Sequence, residues 1–188
     1  SLIVTSTDLF TGVLDGGCHV LRGLTVSVEN YGGLFGYASG ASFKDLRIEE
    51  AEVESISNYA GILVGCLENG SIERCSALGN VKGGDYVGGL AGAVRNGTNM
   101  KDCYAVGSVS SGVSKFHAGG LVGDISSDTR EYPKVLIKNC YAVVQIINRG
   151  KALEYSTVID DSYYDSQIAV DGIKDSSSFT SLVKMDGK

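Results

Sequence analysis

The sequence predicts an all-β fold, a right-handed parallel β-helix (β-solenoid) of about five to six coils of 27–31 residues. A glycine-rich hexapeptide occurs four times, and a second block of apolar and small residues follows each copy. Short runs rich in Val, Ile, Leu and Tyr are interrupted by Gly, Asn and Asp, as is typical of strands and turns. Repeats this short, made of strands, stack as coils about 4.8 Å apart.

The glycine-rich blocks predict one bend and one inward side chain in each coil. They read YGGLFG (31–36), AGILVG (60–65), VGGLAG (87–92) and AGGLVG (118–123). The first glycines are Gly32, Gly61, Gly88 and Gly119, with separations of 29, 27 and 31 residues. We expect Leu34, Leu63, Leu90 and Leu121 to point inward. The glycines should lie where φ is positive or where two backbones approach closely.

The second block of each coil predicts ladders of similar side chains. The inward columns are Phe43, Ile72, Met100 and Ile137; Leu46, Cys75, Cys103 and Cys140; Ile48, Ala77, Ala105 and Ala142; and Val81, Val109 and Ile146. Members of the first two columns are three residues apart, which breaks the two-residue alternation of a strand. A corner is therefore expected near Glu73–Arg74 and at the equivalent positions Lys101–Asp102 and Lys138–Asn139. Asn69-Gly70 and Asn96-Gly97 are turn dipeptides.

The remaining segments extend this pattern at both ends. Residues 12–26 and 158–166 match parts of a coil, so we expect the β-helix to occupy 1–170 and a C-terminal cap or linker tail to occupy 171–188. The spacer 124–135 is about six residues longer than its equivalents and should form a protruding loop. The chain begins SLIVTSTD, without an initiator Met or a signal peptide, which suggests a piece of a larger parent polypeptide.

Composition argues against several classes of function. The net charge is −6 and no basic cluster occurs, so nucleic acid is not an expected partner. No apolar run reaches the length of a membrane span. Five cysteines without a CxxC pair, and only two histidines, argue against a zinc site or a full disulfide framework, and no cofactor is predicted.

The charged residues are candidates for an active site, because β-helix hydrolases and lyases need converging carboxylates or a basic residue beside them. The candidates are Asp45, Arg47, Lys101, Asp102, Lys138, Asp160, Asp161 and Asp165. The column Asp45, Arg74, Asp102 and Asn139 is interpreted as a solvated corner whose opposite charges attract. The cluster Asp160, Asp161 and Asp165 is interpreted as ordinary turn chemistry, with a bound cation left open. We therefore predict no catalytic residues and no metal ligands.

The candidate binding residues are Tyr104, Tyr141 and Tyr163, each of which follows the cysteine column by one position. They should point outward and form an aromatic strip. Such a strip serves as a sugar platform or a protein contact, or simply as lateral packing on a sheet. Cys75, Cys103 and Cys140 are interpreted as small buried hydrophobes, since Leu46 and Ser162 occupy the same column.

The glycine blocks, each followed by a motif of the form I-x-x-C-x-A-x-G-x-V, resemble GLUG repeats over roughly residues 12–166. LDGGCHVLRGLTV resembles the segment that often precedes such repeats. The resemblance implies a bacterial extracellular or cell-surface protein, similar to adhesins and to immunoglobulin-A-specific metallopeptidases. The HExxH motif of those peptidases is absent from this sequence. We expect a non-enzymatic adhesion or scaffold module that binds host protein or glycan, or acts as a rigid spacer. The alternatives are a carbohydrate-active β-helix enzyme and an accessory domain of a large peptidase.

Overall fold

The computed structural model describes residues 9–112, 117–126, 133–147, 157–160, 162–165 and 182–185, and these form an all-β structure. Its strands are β1 (Val13–Arg22), β2 (Thr25–Val28), β3 (Phe35–Ser39), β4 (Ser42–Ala60), β5 (Val64–Glu68), β6 (Ser71–Glu73), β7 (Ser76–Gly88), β8 (Ala91–Arg95), β9 (Asn99–Lys101), β10 (Tyr104–Ser111), β11 (Ala118–Gly119), β12 (Val122–Ser126), β13 (Val135–Lys138), β14 (Tyr141–Ile147), β15 (Thr157–Asp160), β16 (Ser162–Asp165) and β17 (Leu182–Met185). None of the described residues forms a helix that could cross a membrane.

The strands stack in parallel as a β-solenoid, so the predicted fold class is confirmed. One sheet contains β3, β5, β8 and β12, one strand from each of four successive coils. The larger sheet follows the order β15-β13-β9-β6-β4-β7-β10-β14-β16-β17, with β1, β2 and β11 beside this path. The solenoid has about four complete turns, fewer than the five to six predicted. The sequence count included terminal segments that add strands to the larger sheet only.

Strand register confirms the inward columns of the second block. Ile72 pairs with both Phe43 and Met100, and Met100 pairs with Ile137. Ala77 and Ala105 pair with each other and with the outer members of their own column. Phe43, Ile72 and Met100 are almost completely buried. Repeated sequence positions therefore become continuous ladders in the core, which excludes water along the solenoid axis.

The predicted corner is also confirmed. Asp45, Arg74, Asp102 and Asn139 all have a left-handed backbone, with φ between 50° and 55°. This conformation breaks the two-residue alternation, so side chains three residues apart across the corner, such as Ile72 and Cys75, both point inward. The turn dipeptides contribute a second set of left-handed residues, Asn69 at φ 49° and Asn96 at φ 47°.

The glycine blocks lie where two parts of the chain approach closely. A Cβ added to Gly92 would lie 2.4 Å from the carbonyl oxygen of Gly65, and one added to Gly65 would lie 2.6 Å from that of Gly36. Of the two reasons expected for these glycines, the structure shows close approach, and their backbones are not left-handed. The register also corrects the alignment on first glycines: Gly32 pairs with Ala60 rather than with Gly61.

Some of the predicted features fall outside the described residues. These include positions 127–132 of the long spacer and Asp161 of the acidic cluster. From the tail, only Leu182–Met185 is described, and it pairs in parallel with β16.

Candidate binding site

The predicted aromatic strip begins with a stacked pair. Tyr104 is the first residue of β10 and Tyr141 the first of β14, and the two pair in register. Their ring centroids are 4.9 Å apart and the planes differ by 5°. Both side chains are half-buried on the outer surface, because the next residues, Ala105 and Ala142, point into the core. The register places Tyr163 opposite Tyr141, but its side chain lies outside the described part.

Stacking limits what this pair can present to a ligand. The ring surfaces that face each other are covered, so the pair offers its ring edges and hydroxyl groups. Partial burial raises the pKa of Tyr141, and the neighbouring Tyr104 adds to this effect while Arg47 opposes it. The Tyr141 hydroxyl is therefore protonated at neutral pH and able to donate a hydrogen bond.

The structure contains a second aromatic ladder that the sequence analysis did not identify. It consists of Tyr31, Tyr59, Tyr86 and His117, with centroids 4.7, 4.7 and 4.4 Å apart in that order. Tyr37 packs edge-on against Tyr31 at 5.5 Å. The three stacked tyrosines have φ of 56–57°, because each stands where the chain turns from the larger sheet into a glycine block. Tyr59, Tyr86 and His117 each precede an aligned glycine by two residues, a signal available in the sequence.

Arg95, the last residue of β8, connects this second ladder to the carboxylates beside it. Its Nη2 donates a hydrogen bond of 2.9 Å to the Tyr59 hydroxyl, and its guanidinium carbon lies 5.2 Å from the Tyr59 ring centre. Glu68 and Asp124 each approach within 3.8 Å. Burial raises the pKa of Asp124, and the nearby Arg95 and His117 lower it in part. These contacts hold the guanidinium against the ladder, which fits a structural role.

His117 forms a hydrogen bond with Asp85 at the end of this ladder. Its Nδ1 lies 3.0 Å from Asp85 Oδ1, and its ring stacks on Tyr86. The two groups are partly exposed.

The charged corner consists of paired side chains. Arg74 donates to both carboxylate oxygens of Asp45, at 2.6 and 2.9 Å, and Asn139 donates to Asp102 at 2.9 Å. The hydrogen bonds from Arg74 hold the pKa of Asp45 below its ordinary value, so this carboxyl group is unsuited to act as a general acid. Among the described residues, no group of three or more His, Cys, Asp or Glu side chains is placed to hold a metal ion.

The cysteine column lies in the core, as predicted. Cys75, Cys103 and Cys140 are buried free thiols in the core, and Cys66 on β5 is also a buried free thiol. The Sγ of Cys103 donates to the carbonyl of Lys101 at 3.1 Å, and that of Cys140 to the carbonyl of Lys138 at 3.2 Å. Burial raises the pKa of Cys66 and of Cys75 to about 12. The raised pKa makes Cys66 and Cys75 poor nucleophiles at neutral pH.

Comparison with known proteins agrees with this architecture. The family described as the GLUG motif matches residues 83–110, so the predicted resemblance to GLUG repeats is confirmed. Halomucin of Haloquadratum walsbyi is 39% identical over 96 residues, which are 49% of this chain and 1% of Halomucin. A crystal structure of a proposed immunoglobulin A1 protease from Bacteroides ovatus matches with a TM-score of 0.59 at 18% identity, covering 92% of this chain and 69% of that one. This second likeness concerns the fold.

Proposed function

We propose that this chain is a non-catalytic recognition and scaffold module of a bacterial cell-surface or secreted protein. The solenoid would hold a binding surface for a host protein or a glycan at a fixed place along a larger polypeptide. An extracellular setting is supported by the names of the two relatives, one a mucin and the other a protease of a secreted antibody. A module role is supported by the GLUG match, since this motif is a repeat unit.

The observation that carries the proposal is the stacked Tyr104–Tyr141 pair on the outer face of the larger sheet. Each ring is held by its neighbour and by a strand, so little side-chain entropy is lost on binding. The pair presents two hydroxyl groups and two ring edges, with the ring centroids 4.9 Å apart. This geometry suits a flat partner that contacts two neighbouring coils at once, and tyrosine is enriched in such contacts.

A binding screen with two double variants tests this proposal. The chain is screened against host matrix proteins, secreted immunoglobulins and a glycan array, together with Y104A/Y141A and Y104F/Y141F. We expect specific binding whose affinity falls at least about tenfold in Y104A/Y141A, because removing an anchoring aromatic pair costs more than about 1.4 kcal/mol of binding free energy. The phenylalanine variant retains the stack and separates ring contact from hydroxyl contact. Binding that is equal in all three proteins, at unchanged melting temperature, would contradict the role of the strip.

A second candidate follows from the likeness to the proposed immunoglobulin A1 protease. We propose as the alternative that the chain is an accessory domain of a large peptidase whose catalytic residues lie elsewhere in the polypeptide. Sequencing the parent gene tests it directly. An HExxH motif in the same reading frame would support the accessory role, and a parent made of repeats and anchors would contradict it.

A further inference from the structure

An open hollow of about 420 Å³ crosses the outer face of the larger sheet. Four successive strands, β2, β4, β7 and β10, contribute side chains at matching positions, so the hollow runs along the solenoid axis. The polar side chains that line it are Thr25, Ser27, Glu52, Glu54, Asn80, Lys82, Ser108 and Ser110. The rungs repeat about every 4.8 Å, and each rung contributes two polar side chains to the hollow.

Hydrogen bonds between adjacent rungs orient these groups. Asn80 Nδ2 donates to Glu52 Oε1 at 2.7 Å, and Ser108 Oγ donates to Asn80 Oδ1 at 2.7 Å. The amide of Asn80 has a second N–H, and the oxygens of Glu52 and Ser108 have further lone pairs. The row therefore offers both donors and acceptors in fixed directions.

A second hollow of about 180 Å³ adjoins the first and shares Glu54 and Lys82 with it. Gly83, Gly84 and Gly112 contribute to its lining. Ile56 stands at this hollow with 64% of its surface exposed, so an apolar side chain is available beside the polar row. A ligand with alternating polar edges and apolar faces would use both kinds of contact.

We propose that the two hollows together bind a neutral oligosaccharide lying along the solenoid axis. This inference deepens the proposed function and rests on it, because it names a site and a ligand class for a recognition module. Sugar rings carry closely spaced hydroxyl groups that both donate and accept, which matches the row Glu52, Asn80 and Ser108. Anionic sugars are disfavoured, because the charged groups lining the hollows are Glu52, Glu54 and Lys82, with Lys82 paired to Glu54 at 2.7 Å.

Calorimetric titration of the 188-residue chain with soluble tetrasaccharides tests the site. The probes are cellotetraose and mannotetraose, with tetragalacturonate as the anionic comparison. N80A/S108A removes two members of the row. N99A/S71A is the matched control, because Asn99 and Ser71 have the same residue types and similar exposure but lie on β9 and β6. We expect a neutral tetrasaccharide to bind, and its affinity to fall about tenfold in N80A/S108A but not in the control.

The outcomes separate the site from the proposed function. Neutral binding that is lost in N80A/S108A and retained in Y104A/Y141A supports the hollow as the glycan site. Neutral binding that is lost only in Y104A/Y141A overturns the hollow and retains the tyrosine strip. Tighter binding of tetragalacturonate than of both neutral probes overturns the ligand class. If neither neutral probe binds, the inference is overturned. The proposed function is then still tested by the screen against host matrix proteins and immunoglobulins.

Discussion

The last glycine of each block is required by contact between backbones. Gly65, Gly92 and Gly123 stack on one another, and each faces main-chain atoms of the neighbouring coil. Because the obstructing atoms belong to backbone in a stacked sheet, they cannot move aside as the end of a flexible side chain would. The repeated motif is therefore a requirement of close packing at the site where the chain passes between its two sheets.

Replacement of Gly92 by alanine is expected to destabilise the fold by about 2 kcal/mol or more, since overpacking against rigid atoms costs about 1–3 kcal/mol. The new Cβ would lie 2.4 Å from Gly65 O and 2.7 Å from both Ala60 N and Tyr86 O. Gly112 is the matched control, because the nearest atom to an added Cβ there is 3.6 Å away. Urea midpoints measure both variants, and equal midpoints for G92A and G112A would contradict the packing argument.

Asp124 is expected to lower stability at neutral pH. Burial raises its pKa in the folded chain, and Arg95, His117, Ser126 and Asp85 are the other groups that act on it. Between the ordinary carboxyl pKa and this raised value, the folded state holds more protons than the unfolded state, so stability falls as pH rises through that window. We expect D124N to melt at a higher temperature than the parent at pH 7, with a difference that shrinks toward pH 3.

Asp45 is the control for this titration, because its pKa shift has the opposite sign. Hydrogen bonds from Arg74 lower its pKa, so its contribution is present at neutral pH and is lost as pH falls through the lowered value. D45N should therefore melt below the parent at pH 7, and the difference should close in acid. If D124N and D45N both raise or both lower the melting temperature at pH 7, burial does not dominate the pKa of Asp124.

At the scale of the strands, the left-handed corner sets where each coil changes direction. Asp102 follows β9 directly, with φ at 55°, and accepts a hydrogen bond from Asn139 on the next coil. A β-branched residue in this conformation costs about 1–3 kcal/mol. We expect D102V to be destabilised by at least that amount. K101V should change little, because Lys101 is exposed in a strand, where valine is favoured. Comparable urea midpoints for the two variants would contradict a corner that depends on left-handed backbone.

Strand columns could be predicted from the sequence because one residue in each coil faces the same core position. In the second block the spacing between equivalent positions is the same in each coil, so its columns appear directly in the register. In the glycine block the spacing changes: Tyr31 is five residues before Gly36, whereas Tyr59 is six residues before Gly65. An alignment on first glycines places Tyr31 opposite Ala60 and separates it from its ladder. The outer hollow could not be predicted, because it depends on how the surface curves between rungs.

At the scale of the whole molecule, the described coils share one continuous core without an obvious internal boundary. Each coil contacts its neighbours through backbone ladders, so stability is a sum of coil and interface terms along one axis. Cysteines are distributed along the solenoid: Cys75, Cys103 and Cys140 are buried in three successive coils, Cys66 is buried in the same coil as Cys75, and Cys18 is exposed on β1. Thiol accessibility therefore reports whether the solenoid is closed along its length.

Reaction with a thiol-specific disulfide reagent at neutral pH is expected to modify one cysteine quickly in the native chain and all five after unfolding in urea. Cys18 is accessible, whereas burial keeps the Cys66 and Cys75 thiols protonated, with pKa raised to about 12. C18S should abolish the fast phase and leave the total at four. If two or more thiols per chain of the parent react in the fast phase, a coil opens on the time scale of the reaction. Measurements at intermediate urea concentrations then show the order in which the four buried thiols become reactive. One cooperative core requires that they become reactive together, whereas weak coupling between neighbouring coils would expose them coil by coil from an end.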